Sequence, residues 1–502
     1  MNKALCTAVM AVAALSAAAE GYQVNTFSAK QIGMGHVGVA MKLGAESQIF
    51  NPAGVAFSDK TLELSGAVAA IKSSATATLP DGSEFSTSSK IATPMNVSAS
   101  FRIYDNLYAG VAFYTPYGST ITWGRSWPGA VMNQSVDLKM FTVQPTVSWR
   151  ILPNLSVGAG LMIGWGTVNL DKALVSARSM DRVIDLQYQA ALLKYNVART
   201  QAALTGQPFD LPEPQQPQTK YGLMPPASVN LKGSSELALG VNVGAMWDIT
   251  SQWTVGASFR SKMNLHVKAG DARVDYADEM ARAVLGETLD NLNYTNFDAS
   301  MPAPWVFTFG ASYKPVEKLL LAFDAQLNGW GTYKYLDFKF DQLPEFDQHL
   351  KKDYHNAWTL HLGGQYSLTE RLDLRAGMMV DFTPCNKDYY NPETPGMTRI
   401  EPAVGLSFRP IRNLSIDFSL MYAKGLGTEC GKGSFADFLA PQYNAGLAEY
   451  NAGVAAYNAV LSAVGLPAYQ GASLSELPAE QEFAAKYNVH AILPAIGISY
   501  SF

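Results

Sequence analysis

Charge is scarce in this sequence. Asp, Glu, Lys and Arg make up 16% of its 502 residues, against about 25% in soluble domains. There is no basic run and no interleaving of basic with aromatic residues, which argues against nucleic acid as a partner. No stretch reaches the ~18 uninterrupted apolar residues of a membrane-spanning helix. Hydrolase, nucleotide-binding and zinc-protease signatures are also missing: no Gly-Xaa-Ser-Xaa-Gly elbow, no phosphate-binding glycine loop, no His-Glu-Xaa-Xaa-His pair. The six histidines, His36, His266, His349, His355, His361 and His490, have no metal-ligand spacing. No cofactor or metal is implied.

What is present points to export. Met1 to Ala19 has the form of a signal peptide: Lys3 supplies a positive start, Ala4 to Leu15 is largely apolar, and Ala17, Ala18 and Ala19 are small residues suited to cleavage. An exported chain without a membrane helix is periplasmic, secreted or an outer-membrane barrel. Of three cysteines, Cys6 lies in the leader. Cys385 and Cys430 fall in predicted loops and are a possible disulfide, although spacing alone does not fix the geometry.

From Leu62 onward the chain alternates with period 2. Leu319, Leu321, Phe323, Ala325 and Leu327 share one face, opposite Leu320, Ala322, Asp324, Gln326 and Asn328. From Trp253 to Val267, Trp253, Val255, Ala257, Phe259, Met263 and Leu265 lie on the apolar face, interrupted only by Ser261. Thr254, Gly256, Ser258, Arg260, Lys262, Asn264 and His266 lie on the other. Many such runs reach about ten residues, enough to cross a bilayer at a tilt. Trp149, Trp165, Trp247, Trp253, Trp305 and Trp358 recur at strand ends, as in an interfacial girdle. Short turns alternate with long loops, and six turns plus seven loops join 14 strands. That asymmetry is typical of an outer-membrane barrel.

The expected organisation is a signal peptide (1–19), an N-terminal hatch (20–61) and a barrel (62–502) with long extracellular insertions at 171–233 and 424–485. Asp181 to Leu204 carries helical periodicity through Ile184, Tyr188, Ala191, Leu192 and Tyr195. Leu447 to Leu466 does so through Tyr450, Val454, Tyr457, Val460 and Leu461. Such helices either pack on one another or form an apolar capture surface.

The inward positions bear on a ligand. Glycines such as Gly158, Gly244 and Gly310 leave room, and Met140, Met162 and Met246 offer adaptable apolar contact. Inward charges pair with one another or with the hatch. Alternatively, Arg260, Lys262 or Arg375 meets a ligand carboxylate. Pro116 interrupts a long strand beside Tyr117 and Gly118. Proline cannot donate to a ladder, so it marks an edge, a bulge or a kink.

Two segments carry a family resemblance. Gly21 to Ser28, Gly33 to Ala40 and Ser47 to Gly54, with Asn51, Pro52 and Ala53 at the centre of the last, resemble the plug of the FadL/TodX family of outer-membrane transporters for long-chain fatty acids and other hydrophobic compounds. Ala112 to Gly118, followed by Thr122 and Trp123, resembles that family's third strand. The resemblance implies a 14-stranded antiparallel transmembrane β-barrel, all-β, with the hatch inside the lumen and helical extracellular loops. It implies that Asn51, Pro52 and Ala53 form the hatch motif, read here as a structural lock against the wall. It also implies that Pro116, Tyr117 and Gly118 kink open a lateral gate.

The expected protein is therefore not an enzyme. It sits in the outer membrane of a Gram-negative bacterium as a monomer and takes up fatty acids or other hydrophobic small molecules passively. Its further partners would be outer-membrane lipids and, during biogenesis, barrel-assembly machinery, which reads a C-terminal aromatic such as Phe502. A general porin is one alternative. A barrel-embedded lipid hydrolase using lumen-facing His361 is another.

Overall fold

In a computed structural model, residues 21–217, 220–427 and 431–502 are described; the leader and Cys430 lie outside them. The chain forms a closed antiparallel barrel of 14 staves, counting a strand and its continuation past a break as one stave. Closure is made by the last strand, Glu480–Ser501, which pairs with the first, Leu62–Ala69, from Glu63↔Ser501 to Ala69↔Ala495. Closure pairs the first stave with the last, so the ring has no end strand. Ser135–Leu152 and Leu155–Val175 have 18 and 21 residues, about twice what a tilted crossing needs. Their upper halves therefore rise beyond the hydrocarbon layer. Among the described residues no helix is long and apolar enough to cross a membrane.

The outer face is apolar because alternate residues point outward. Leu321 and Phe323 are exposed there, as are Trp149, Trp247 and Trp253 near the short turns and Trp358 near the opposite rim. The lumen is filled at its lower end by Gly21 to Phe57, nearly all of it buried.

Three neighbouring staves break the expected alternation at one level. Each is split into two strands: Ala227–Ser234 and Ala238–Asp248, Trp253–Arg260 and Met263–Tyr276, Asn296–Ala303 and Val306–Val316. At every break the side-chain phase slips by an odd number of residues. Ser258 points inward below, but Met263, Leu265 and Val267 are buried above. Lys262 is exposed on the outside, as is Asn264. The single alternation read from Trp253 to Val267, interrupted only by Ser261, is corrected accordingly, and Lys262 does not face the lumen. A single-residue slip sends every later side chain to the other face.

Above the barrel, the helices Ala177–Thr205 and Ala440–Ala463 pack on each other. The second buries Tyr443, Leu447, Tyr450, Tyr457 and Leu461, at the alternating four- and three-residue steps of a coiled-coil seam. The first meets them with Leu186 and Leu193, and Ala191 is exposed. This face differs from the one read from periodicity because Ile184 turns into the dome that roofs the lumen.

Candidate functional site

The plug is a series of short helical turns started by polar caps. Ser28 Oγ accepts from Gln31 N–H at the start of Ala29–Ile32. Asn51 Oδ1 accepts from Ala53 N–H (3.1 Å) at the start of Pro52–Phe57, where Pro52 has no N–H to leave unsatisfied. Asn51 is fully buried. Its Nδ2 donates to Val39 O within the plug (2.7 Å) and to Ala245 O of the wall (2.9 Å). Ser156 Oγ donates to Ala53 O at 2.8 Å, and Ser148 Oγ to Pro52 O. Asp324 accepts from Gly38 N–H (2.6 Å) and Val39 N–H (3.0 Å). The Asn51 to Ala53 turn is thus bonded to three wall strands at once.

Wall glycines make that seating possible. A Cβ at Gly158 would lie 2.5 Å from the Pro52 carbonyl carbon. At Gly256 it would lie 2.2 Å from Val39 O, and at Gly377 2.1 Å from the Met34 carbonyl carbon. The inward glycines therefore leave little room for a ligand: plug backbone fills it at Gly158, Gly256 and Gly377, the Asn51 side chain at Gly244, and the wall's own Asp324 at Gly310. Met246 abuts Gly54 of the plug, while Met140 and Met162 meet Met263 beside Gly164 and Gly240.

The three cations expected to meet a carboxylate are dispersed. Arg375 is buried between Asp373 (3.7 Å) and Asp417 (3.5 Å) and also donates to Gln365 Oε1 (2.9 Å) and to Ser407 Oγ. Lys30 of the plug reaches the same Asp417 at 3.8 Å. Arg375 thus joins a plug-to-wall ion network. Arg260 lies over the Phe27 ring, 5.7 Å from its centre, beside a small chamber lined by His36, Asp324 and His361. His361 Nδ1 donates to Gly35 O (2.9 Å), so its imidazole is engaged by the plug backbone. Lys262 points outward. None of the three lines the large cavity.

That cavity, about 320 Å³, lies where Pro116, Tyr117 and Gly118 meet the plug. The strand Leu107–Thr122 pairs with its neighbour Met95–Tyr104 only as far as Asn96↔Tyr114. Against its other neighbour the register shifts between Tyr114 and Tyr117, a bulge centred on Thr115 and Pro116. Beyond Tyr114 the edge is completed by the plug: Val24 N–H donates to Pro116 O (2.9 Å) and Gly118 N–H to Tyr22 O (2.8 Å). The cavity runs behind this patch and is lined by plug residues Gly21 to Thr26 together with Met95, Thr115, Gly118 and Phe141.

A second, apolar pocket of about 60 Å³ lies above, among Val136, Leu170, Leu265, Val267, Met301 and Phe338. It exists because the staves slip phase below it. Glu393 lines it and forms a buried ion pair with Lys352. Partly buried Lys172 lies within electrostatic reach of both. Sequence reading missed Lys172, Lys352 and Glu393. Lys352 and Glu393 stand 41 residues apart in loops, and no local spacing links them. Cys385 is buried nearby, and burial pushes its thiol pKa up. Its expected partner Cys430 lies outside the described residues.

Residues 10–459 match the family model described as outer membrane protein transport protein (OMPP1/FadL/TodX). Outer membrane protein P1 of Haemophilus influenzae is 22% identical over 325 residues, 64% of this chain and 64% of that protein. A putative outer membrane protein of Neisseria meningitidis serogroup B, NMB0088, is 24% identical over 433 residues, 81% of this chain and 86% of that protein. Among solved structures, a Pseudomonas aeruginosa FadL homologue superposes with a TM-score of 0.68 at 17% identity, covering 96% of this chain and 100% of its own. The Pseudomonas putida toluene transporter TodX does so with a TM-score of 0.59 at 14% identity, covering 94% and 97%. At these identities the structures speak for the fold.

Proposed function

The chain belongs to the OMPP1/FadL/TodX family of outer membrane transport proteins, and from that premise we propose that it takes up long-chain fatty acids passively, with exit sideways through the barrel wall. One observation carries this reading. The wall strand at Pro116 to Gly118 is bonded along one edge to plug residues Tyr22 to Val24, directly over the cavity. A small shift of that plug strand opens the cavity towards the bilayer without unseating Asn51, Pro52 and Ala53.

The remaining features fit in sequence. A ligand enters the apolar pocket under the dome, where Met and Leu side chains adapt to a flexible chain. Lys352 pairs with Glu393, and Lys172, within electrostatic reach of both, donates to the amide oxygen Gln348 Oε1 (2.8 Å), so the site takes a second anion. A fatty-acid headgroup supplies it, since buried charge needs a partner. The ligand then passes to the lower cavity and leaves beside Gly118. Driving force comes from consumption downstream. A water-filled porin fits less well, because the plug occupies the lower lumen.

Deletion of the protein should reduce uptake of labelled long-chain fatty acid by intact cells. Unchanged uptake, with no lipid bound to the purified protein, would overturn the reading. For the gate, Gly118→Trp should slow uptake while heat-modifiable gel mobility stays that of a folded barrel.

A further inference from the structure

The loop between the strands Leu372–Asp381 and Arg399–Ile411 turns down into the lumen. Glu393 and Thr394 line the upper pocket, and Thr394 to Met397 line the lower cavity. Opposite them, Ser119 and Leu138 line both. Segment 392–397 is therefore a crossbar between the two spaces, and a ligand moving from one to the other must pass it.

The crossbar is tied at several points. Trp123 Nε1 donates to Pro392 O (2.9 Å), and Tyr390 OH donates to Gly396 O (2.8 Å). Tyr354 OH and Thr394 Oγ1 share a hydrogen bond at 3.1 Å. The fourth tie is the buried Lys352–Glu393 pair, with side chains 2% and 9% exposed. It is the charged tie, and Glu393 itself lines the upper pocket, so an incoming headgroup meets it directly.

We propose that segment 392–397 is the selectivity septum of the uptake path, and that an anionic headgroup opens it by taking the place of Glu393 on Lys352. This inference rests on the uptake reading above. Removing one partner of a buried ion pair is costly because the other charge is left uncompensated. Exchanging one carboxylate for another on Lys352 avoids that cost. A neutral ligand of the same length brings no charge to exchange, so for it the septum stays shut. The septum thus selects on headgroup charge, whereas the apolar pocket selects on chain.

The test compares laurate with dodecanol, which share chain length and differ in headgroup charge. Uptake is measured in intact cells above the background of a deletion strain. The wild type should favour laurate by about tenfold. Glu393→Gln should raise dodecanol uptake and shrink that preference by a similar factor. The double variant Lys352→Met with Glu393→Gln should do the same while removing both charges of the buried pair, which guards against misfolding of the single variant. Thr394→Trp should stop both probes while heat-modifiable gel mobility stays that of a folded barrel. Equal rates for the two probes in the wild type, or normal laurate uptake through Thr394→Trp, would overturn the septum and leave the deletion phenotype intact. If laurate uptake in the deletion strain equals that of the wild type, the uptake reading itself has failed.

Discussion

The lower and upper halves of the lumen are built from the same staves but face inward with different chemistry. Below the breaks at 235–237, 261–262 and 304–305, the wall presents glycine, hydroxyl and amide groups to the plug: Gly158, Gly256, Ser156 and Asn242. Above them it presents Leu231, Met263, Leu265 and Phe297, all buried. The lower half binds a polypeptide backbone, which demands hydrogen-bond partners and close approach. The upper half encloses apolar space. A strand has only two faces, so one stave can serve both halves only if its phase changes between them. The break is how this barrel seats a polar plug beneath an apolar pocket.

The sharpest way to break this contrast is Arg375→Ala in the lower half. It leaves Asp373 and Asp417 without their buried partner, at a cost of about 3–5 kcal/mol. Arg409 still reaches Asp373 through two hydrogen bonds, so the loss falls mainly on Asp417 and, through Lys30, on the plug. Urea unfolding in detergent should show the destabilisation, and hydrogen exchange should show Lys30 to Ile32 losing protection first. Uniform loss across the barrel would mean that the network holds the wall alone.

Leu265→Ala probes the upper half. The side chain is buried in the dome and lines the apolar pocket. Truncation of such a residue costs about 2–5 kcal/mol where the site cannot collapse. Here the dome should loosen and laurate affinity should fall, while the plug keeps its hydrogen-exchange protection. A plug that loosens equally would show that the two halves are one cooperative unit.

Gly377→Val returns to the cradle. A Cβ there meets the Met34 carbonyl carbon at 2.1 Å, backbone against backbone. Overpacking typically costs about 1–3 kcal/mol, and here the strain falls on plug seating. Planar-bilayer conductance should rise as the plug is displaced. Gly66→Ala is the matched control, because its nearest neighbour to a Cβ is 3.5 Å away, and it should leave conductance unchanged.

Much of this was legible before any coordinates. Period-2 runs and alternating turn lengths gave the staves, and the glycine-rich N-terminal segment gave a plug with no other place to go. What stayed hidden was hidden for physical reasons. The phase slip at Ser261 and Lys262 leaves only a faint trace, Ser261 on an otherwise apolar face, and one polar residue there does not reveal a change of phase. Inward glycine reads as empty space because a sequence reports side-chain volume, not which backbone fills the gap. The Lys352–Glu393 pair joins two loops, and only the fold brings them together. Likewise, the helix Ala177–Thr205 turns Leu186 and Leu193 to its partner because Ile184 is taken by the dome, a competition that periodicity cannot arbitrate.

The smallest expected effect tests the phase slip most directly. If Lys262 faced the lumen, Lys262→Ala would remove a buried charge and disturb stability and ligand binding together. The slip places it outside, exposed, just beyond lipid-facing Phe259 and before buried Met263. Exposed substitutions of this kind stay within about 0.5 kcal/mol, so unfolding midpoint and laurate affinity should both match the wild type. Deleting Lys262 is a different matter. It leaves Ser261 as the single residue between inward Arg260 and inward Met263, so plain alternation alone keeps Met263, Leu265 and Val267 facing in. The apolar pocket should keep its wall and laurate binding should survive, whereas in a strand without a slip the same deletion would invert the phase above it. A neutral Lys262→Ala beside a deletion that still binds laurate would show that Lys262 is the extra residue of the slip, and a ligand-blind deletion would place the phase change elsewhere.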